Sequence, residues 1–363
     1  METVAAKVGV RPARVVEWER SGKISMSQAD RLAHHTHTPL GYLYLRKPPD
    51  DDLPIPDFRA AGGERPLRPS PDLLETVDLM ARRQAWMRDE LIEDGADPLA
   101  LVGCCGRDAT PATAAAAMRE QLELSIDWGS RQRSWTEALR HLRNRVEASG
   151  VLVVFNGIVG NDTHRKLDRG EFQGFALVDR YAPLIFVNGA DFKAAQMFTL
   201  AHELAHVFVG ATGVSSVDAM SSSGHDAERF CNSAAAEFLV AEKELTARWR
   251  RVGTIEESLQ AIARRFKVSV LVAAHRALRL RLIDGKEFRQ FYDAYQQHAA
   301  RKPDETSGGN FWNSQNVRIG RRFGAAVSRA VKEGRLSYRE AYALTGLRGD
   351  TFDTFVRSLD PTT

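Results

Sequence analysis

The sequence has few cysteines and no long apolar run. Its three cysteines are Cys104, Cys105 and Cys231, and their spacing fits neither a zinc ribbon nor a disulfide framework. We expect the adjacent Cys104 and Cys105 to be buried small apolar residues and not a redox pair. No apolar segment approaches the ~20 residues of a membrane span, and the first residues lack the pattern of a signal peptide. The sequence therefore predicts a cytoplasmic, reduced protein.

A strong net charge is also absent. The charge of +3 over 363 residues points to no particular partner. The basic residues are unevenly placed, because residues 1–47 carry eight Lys/Arg against four Asp/Glu and residues 301–363 carry eleven against seven. Both ends are candidates for contact with an acidic partner, although a mildly basic solvated surface gives the same counts.

Two polar segments rich in proline or glycine divide the chain. The first is "KPPDDDLPIPDFR" and the second is "KPDETSGGN". We therefore predict a helical segment over 1–47, a linker and helical segment over 48–130, a central domain over 131–300 and a helical C-terminal appendage over 310–363.

Three short apolar segments of the central domain have the composition of strands. They are "VLVVF" (151–155), "FQGFALV" (172–178) and "PLIFVN" (183–188), and turn residues bound each of them. A helix follows from about Asp191, which we predict as its N-cap. Helical patterns dominate elsewhere, so the predicted fold class is α+β, mostly helical with a small sheet.

The sequence His202-Glu203-Leu204-Ala205-His206 has the spacing of a metal site. Residues four apart lie on one face of a helix, so the two histidines can offer their imidazole nitrogens to one ion. Glu203 is close enough to reach a water on that ion without being a ligand. This is the metalloprotease arrangement, with Glu203 as the general base. The alternative is two hydrogen-bonded histidines on a polar helix, since a chance match has odds of roughly one in a hundred.

A catalytic zinc ion usually has a third protein ligand and one open position. Glu228 lies 22 residues after His206 at the start of a helical segment, far enough for the chain to turn and return. Asn232 is one turn further and is a candidate to hydrogen-bond a ligand histidine. A third histidine in the pattern HExxHxxGxxH is excluded, because those positions hold Val209 and Thr212.

Weaker candidate ligands lie in the serine-rich stretch "SSVDAMSSSGHDAE", which we interpret as a loop. They are Asp218, His225 and Asp226. His225 is also a candidate for stabilising an oxyanion, and it is equally consistent with a solvated loop residue.

These residues together resemble the ImmA/IrrE family of zinc metallopeptidases. The resemblance covers roughly residues 135–285, with one departure at Ala241, where the family often has proline. That departure affects the end of a helix and not the metal. The matching features, in order, are Gly174-Phe175, a strand ending at Asn188, Phe198-Thr199, the motif from His202 to His206, and Glu228 to Asn232.

The resemblance implies a gluzincin-like fold, a twisted sheet backed by helices, with Zn²⁺ held by His202, His206 and Glu228. The best-understood family members cleave a transcriptional repressor and release stress or mobile-element genes, which implies a repressor-like protein substrate here. The alternative is a non-enzymatic DNA-binding or antitoxin-like regulator. Its metal site would be structural, and a structural zinc normally has four protein ligands.

The first residues have the spacing of a helix-turn-helix and resemble Xre-type repressors. The residues that carry this pattern are Ala5, Gly9, Val15, Trp18, Glu19 and Gly22. Xre-type domains have a helix before the first one seen here, so we expect either a truncated domain or a start codon assigned late. The alternative is a small helical bundle used for protein contacts.

Arg11 and Arg14 would lie near the start of the recognition helix, where base or phosphate contacts are made. They are our candidates for DNA binding. Glu17 and Glu19 on the same helix count against it.

Two further segments are predicted to be scaffold. Residues 262–283 also have helix-turn-helix spacing, and we interpret them as scaffold or as a surface that docks substrate. Residues 315–346 resemble the tail of longer family members, and we expect helices that pack on the central domain.

Overall fold

The computed structural model describes residues 2–36, 38–47, 69–106, 108–215, 226–251, 253–299 and 316–359. The described residues form two compact units, one within residues 1–77 and one within residues 78–363. The architecture is α+β, mostly helical with a small mixed sheet, which confirms the predicted fold class. None of the helices in these ranges is long and apolar enough to cross a membrane. The bounds of the four predicted segments stay predictions.

The first unit is a small helical cluster. Gly9 has a φ of +74°, which allows the turn between its first two helices. Its core is formed by Ala5, Val8, Val15 and Trp18. Its elements are α1 (Glu2–Val8), α2 (Pro12–Ser21), α3 (Met26–Thr36) and a 3₁₀ turn (Leu40–Tyr44).

Most of the helices belong to the second unit, which also holds the residues of α4 (Pro71–Glu93) from Asp78 onward. Thr110 caps the next helix, since its side chain accepts a hydrogen bond from the backbone N–H of Thr113. The remaining helices are α5 (Pro111–Gln121), a 3₁₀ turn (Trp128–Arg131), α6 (Trp135–Ala148), α7 (Lys193–Val209), α8 (Asp226–Leu239), α9 (Glu242–Arg248), α10 (Ile255–Phe266), α11 (Val270–Arg279), α12 (Gly285–Ala299), α13 (Arg321–Lys332), α14 (Tyr338–Thr345) and α15 (Gly349–Leu359).

Six strands form two sheets among the described residues. They are β1 (Leu152–Asn156), β2 (Ile158–Val159), β3 (Asp162–Lys166), β4 (Gly174–Leu177), β5 (Leu184–Asn188) and β6 (Gly213–Ser215). The larger sheet has the order β1-β5-β4-β6, with β1 parallel to β5 and β4 antiparallel to both of its neighbours. β2 and β3 form a separate antiparallel hairpin. The three predicted strands are present with slightly different bounds, and β2, β3 and β6 were not predicted.

The central strands are buried because helices cover the sheet. Every residue of β1 and β5 is buried, as expected for strands that do not face solvent. Helix α6 packs on β1, and α7 packs on β4 and β5. This arrangement fixes α7, the helix that carries the histidine motif, directly against the sheet.

The approach to α7 differs in one detail from the prediction. Asn188 ends β5 as predicted, and its side chain donates to the carbonyl of Phe172. Asp191 is not the N-cap, because α7 begins at Lys193 and Phe192 occupies the cap position. The Asp191 carboxylate accepts instead from the adjacent N–H of Phe192.

The helix pair over residues 262–283 packs one face into the core of the central domain. The end of α10 and the start of α11 are joined by a turn in which Lys267 has a φ of +59°. Leu259, Phe266 and Val272 lie in the hydrophobic core with residues of α7 and α8. Burial of this face supports the scaffold interpretation, and docking of substrate on the pair stays a prediction.

The segment that carries α13 and α14 is fastened to α4 by polar contacts. Buried Arg83 donates to the carbonyls of Leu344 (2.8 Å), Arg318 (3.0 Å) and Thr345 (3.4 Å). The Arg83 guanidinium also lies over the Phe323 ring, 5.6 Å from its centroid. One side chain therefore satisfies three main-chain acceptors of the C-terminal segment.

Replacing Arg83 by Met is expected to destabilise this docking by about 2–4 kcal/mol, because one buried and two half-buried carbonyls lose their donor. The measurement is urea unfolding together with amide hydrogen exchange of residues 316–359. Arg82→Met is the matched control, since exposed Arg82 pairs with Asp78 on the same helix and is expected to change stability by less than about 1 kcal/mol. Equal effects of the two substitutions would contradict the prediction.

Candidate metal centre

Two neighbouring helices bring three ligand side chains together. His202 and His206 lie one turn apart on α7, and Glu228 lies in the first turn of α8. The two Nε2 atoms are 3.0 Å apart. The Glu228 carboxylate places Oε2 3.2 Å from His202 Nε2 and Oε1 3.0 Å from His206 Nε2. The three ligands predicted from the sequence therefore converge on one point.

The cluster has the dimensions of a metal site. All three side chains are buried, with at most 3% of any residue exposed. Four-coordinate zinc with bonds of about 2.0–2.1 Å holds its ligand atoms about 3.3 Å apart, close to the separations seen here. Two imidazoles and a carboxylate are also ligands that zinc accepts. The residues present therefore fit a divalent metal ion, and no fourth His, Cys, Asp or Glu joins them within the described part of the chain.

The electrostatics of the cluster keep the Glu228 side chain in its ionised form. Burial by itself would raise the pKa of Glu228, but hydrogen bonds with His202 and His206 outweigh it and hold that pKa well below its ordinary value. Glu228 is thus a carboxylate at neutral pH. Burial, followed by the charges of Glu228 and Glu203, raises the pKa of the Cys231 thiol, which stays protonated beside the site.

Glu203 lies next to the ligands and directly beneath strand β4. It is completely buried. Gly174 of β4 comes so close that an added Cβ would lie 3.2 Å from Glu203 Oε1 and 2.6 Å from Thr199 Cγ2. The glycine of the Gly174-Phe175 pair is therefore needed for a close approach between the strand and the helix that carries Glu203.

Replacing Gly174 by Ala is expected to push β4 away from α7 and to lower stability by about 1–3 kcal/mol, because a Cβ would also lie 2.7 Å from the Phe186 carbonyl oxygen. Thermal unfolding and metal content measure the effect. The matched control is Gly285→Ala at the start of α12, where a Cβ meets no atom within 4 Å. An unchanged unfolding midpoint for Gly174→Ala would contradict the close approach.

The other predicted site residues are placed differently. Asn232 is half-buried on α8 one turn after Glu228, and its role behind a ligand histidine stays a prediction. Asp226 is exposed and pairs with Arg229, so it is not a ligand. Asp218 and His225 lie outside the described residues. The adjacent Cys104 and Cys105 are exposed and half-buried, so the prediction that both are buried was wrong.

Two arginines that the sequence did not single out hold α8 in place. Arg119 of α5 donates to the carbonyls of Glu237 (2.9 Å) and Phe238 (3.2 Å) at the end of α8. Arg276 of α11 donates to the Val240 carbonyl at 3.0 Å and pairs with the Glu237 carboxylate. Cations at a helix C-terminus stabilise the helix, so these contacts help to fix Glu228 at the other end. The sequence signal that could have identified these two residues is the presence of an arginine among the apolar residues of α5 and of α11.

The candidate DNA-binding residues lie in the other unit. Arg11 precedes α2 and Arg14 is in its first turn. Both are exposed, and Arg14 donates to Glu17 at 2.7 Å. Part of the charge of Arg14 is therefore compensated within the helix, and DNA binding stays a prediction.

Comparison with known proteins supports a peptidase domain around the His202–His206–Glu228 cluster. Residues 146–278 match a peptidase family, M78, described as the IrrE N-terminal-like domain. The match spans the sheet, α7, α8 and most of α11, and it supports a metallopeptidase of the ImmA/IrrE type. Residues 319–358, which include α13 and α14 and nearly all of α15, match a domain of unknown function, DUF8813. Comparison with curated proteins gave no match.

Proposed function

We propose that the protein is a zinc-dependent endopeptidase that cleaves a transcriptional repressor and so releases stress or mobile-element genes. The observation that carries the proposal is the buried His202–His206–Glu228 cluster with Glu203 beside it, inside a segment that matches a peptidase family. The repressor as substrate follows from the resemblance to the ImmA/IrrE family. A repressor substrate also requires a cytoplasmic enzyme.

The roles of the residues follow from their positions. His202, His206 and Glu228 would hold the ion, which when bound polarises the scissile carbonyl and lowers the pKa of the attacking water. Glu203 accepts the proton of that water and passes it to the leaving amine. Burial beneath β4 holds the Glu203 carboxylate in one place, so that little reorganisation is needed when the proton moves.

The ligand count favours an enzyme over a structural metal site. A structural zinc normally has four protein ligands, whereas a catalytic zinc keeps one position for water or substrate. Three ligand groups converge among the described residues, and exposed Asp226 faces Arg229 instead of the cluster. These observations support the peptidase over the non-enzymatic regulator.

The N-terminal unit supplies a second function in this proposal. Arg11 and Arg14 are exposed near the start of α2, where a helix-turn-helix contacts DNA. We propose that this unit directs the peptidase to DNA or to its DNA-bound substrate.

The test compares protein N-termini in bacterial cells that express the native chain or the Glu203→Gln chain. We expect a new N-terminus within a repressor-like protein, present only with the native chain. Such a result would identify the reaction and the substrate together. If the new N-terminus lies in a protein of another class, the peptidase stands and the repressor does not. Identical sets of N-termini in both cells, with the proteins expressed and zinc-loaded, would contradict the proposal.

A further inference from the structure

A group of cations lies where α6 meets the start of α13. Arg140, Arg143 and Glu147 are three and four residues apart on α6, which places them on one face of the helix. Arg321 and Arg322 begin α13, and Lys193 begins α7. We call Arg140, Arg143, Lys193, Arg321 and Arg322 together the basic face.

The Glu147 carboxylate lies among these cations and already has hydrogen-bond partners. Glu147 Oε1 accepts a hydrogen bond from the backbone N–H of Arg321 at 3.1 Å. Gly320 precedes this N–H with a φ of +86°, and a Cβ there would lie 2.9 Å from the Val153 carbonyl oxygen. The start of α13 is therefore fixed against β1, with Glu147 bound to its first N–H groups.

Arg143 and three other cations, Arg140, Arg321 and Lys193, repel one another across this junction. Burial lowers the pKa of Arg143, and the nearby charges of Arg321 and Arg140 lower it further against the attraction of Glu147. Burial, then the charge of Arg143, lowers the pKa of Lys193. Glu147 is the carboxylate that acts on Arg143 and Arg322, so positive charge exceeds negative charge at this junction.

Asp191, the acidic residue nearest to Lys193 in the sequence, does not neutralise this excess. Asp191 precedes Lys193 by two residues, but it accepts from the N–H of Phe192 and interacts with Arg169 and Tyr295. The Nε atoms of Arg143 and Arg322 are buried and have no hydrogen-bond partner among the residues that the structure describes. Arg143 Nη2 donates to the Asn144 side chain at 3.4 Å and Lys193 Nζ to the Gln196 side chain at 3.3 Å. Two buried guanidinium donors of the basic face still lack an acceptor, which is costly.

We propose that the basic face is a binding site for phosphate groups. A phosphate would neutralise part of the excess charge and offer several acceptor oxygens to guanidinium donors, whose planar fork matches a phosphate. Arg140, Lys193 and Arg321 are exposed, so a ligand can approach from solvent. Lys193 precedes His202 by nine residues, or two and a half turns of helix, so the two side chains leave α7 on opposite sides of its axis. The site is therefore separate from the metal centre and does not depend on the proposed peptidase activity.

The phosphates have two chemical sources, the backbone of a nucleic acid or a free phosphorylated molecule. Two probes distinguish them on the full zinc-loaded chain. Inorganic tripolyphosphate is titrated by calorimetry, and a fluorescein-labelled DNA duplex of arbitrary sequence by anisotropy at several salt concentrations. The variant is Arg140→Gln with Arg321→Gln, which removes two exposed charges and leaves the backbone N–H of Arg321 in place. The matched control is Arg339→Gln with Arg348→Gln, two exposed arginines in and after α14.

We expect the paired variant to bind tripolyphosphate at least about tenfold more weakly than the native and control chains. If the source is a nucleic acid, DNA affinity falls as well, and its dependence on log salt becomes less steep by about two. DNA held by Arg11 and Arg14 alone would not respond to the pair. Loss of either probe's binding in the pair but not in the control supports the site. No binding of either probe by the native chain, or equal affinities in all three chains, overturns it.

Discussion

Replacing Glu203 by Gln is expected to lower kcat/KM for the substrate segment by about 10²–10⁴-fold, the usual contribution of a general base. Gln keeps the size of the side chain and still fits beneath Gly174, but its amide does not accept a proton at neutral pH. The measurement is cleavage of a purified substrate fragment that spans the new N-terminus found in cells. Zinc stoichiometry, measured by mass spectrometry, is expected to remain that of the native chain, because Glu203 is not one of the three converging ligands.

Two further substitutions make this result specific. Glu203→Asp keeps the carboxylate and shortens the side chain by one methylene, so activity between that of the native and Glu203→Gln chains is expected. Glu120→Gln removes an exposed carboxylate from α5 and is expected to leave kcat/KM unchanged. If the Glu203→Gln chain retains native activity, Glu203 is not the base and the mechanism is wrong.

The metal centre was more predictable than the fold around it. The spacing of His202 and His206 needs only one turn of helix, so their convergence follows from helical geometry. Glu228 required more, because 22 residues separate it from His206 and no periodicity shows that the chain returns. Its spacing made it a candidate, and the resemblance to a known family implied its role. The close approach of Gly174 to Glu203 was not predicted, since it depends on a strand packing across a helix.

The features that escaped prediction are short or depend on distant contacts. The strand β3 is the polar sequence DTHRK without an apolar alternation, and β6 has three residues. Asp191 is a good N-cap residue in principle, but the chain begins α7 two residues later. Arg83 reaches carbonyls as far as 262 residues away in sequence. No local pattern encodes such a contact, because main-chain acceptors are present at every residue.

Replacing Glu228 by Gln is expected to weaken zinc binding by at least about 100-fold. Loss of a group that only supports a ligand typically costs 10–100-fold in metal affinity, and Glu228 contacts both histidines directly. A neutral amide also removes the negative charge that the low pKa of Glu228 maintains in the buried cluster. Competition with a chelator of known affinity measures the change, and Glu242→Gln, at an exposed position on α9, is the control.

The loss of zinc is expected to appear in stability as well, because an ion that binds only the folded chain stabilises it increasingly as its free concentration exceeds its Kd. At a free zinc concentration 100 times the native Kd, this contribution is about 2.7 kcal/mol. The native chain should therefore unfold at a lower temperature when a chelator is added, whereas the Glu228→Gln chain should unfold at nearly the same temperature with and without it. Far-UV circular dichroism checks that the variant is folded, and Glu228→Asp provides a second variant that keeps the charge. Native zinc affinity in a folded Glu228→Gln chain would mean that the third ligand lies elsewhere, and the arrangement of α7 and α8 would then no longer account for the metal.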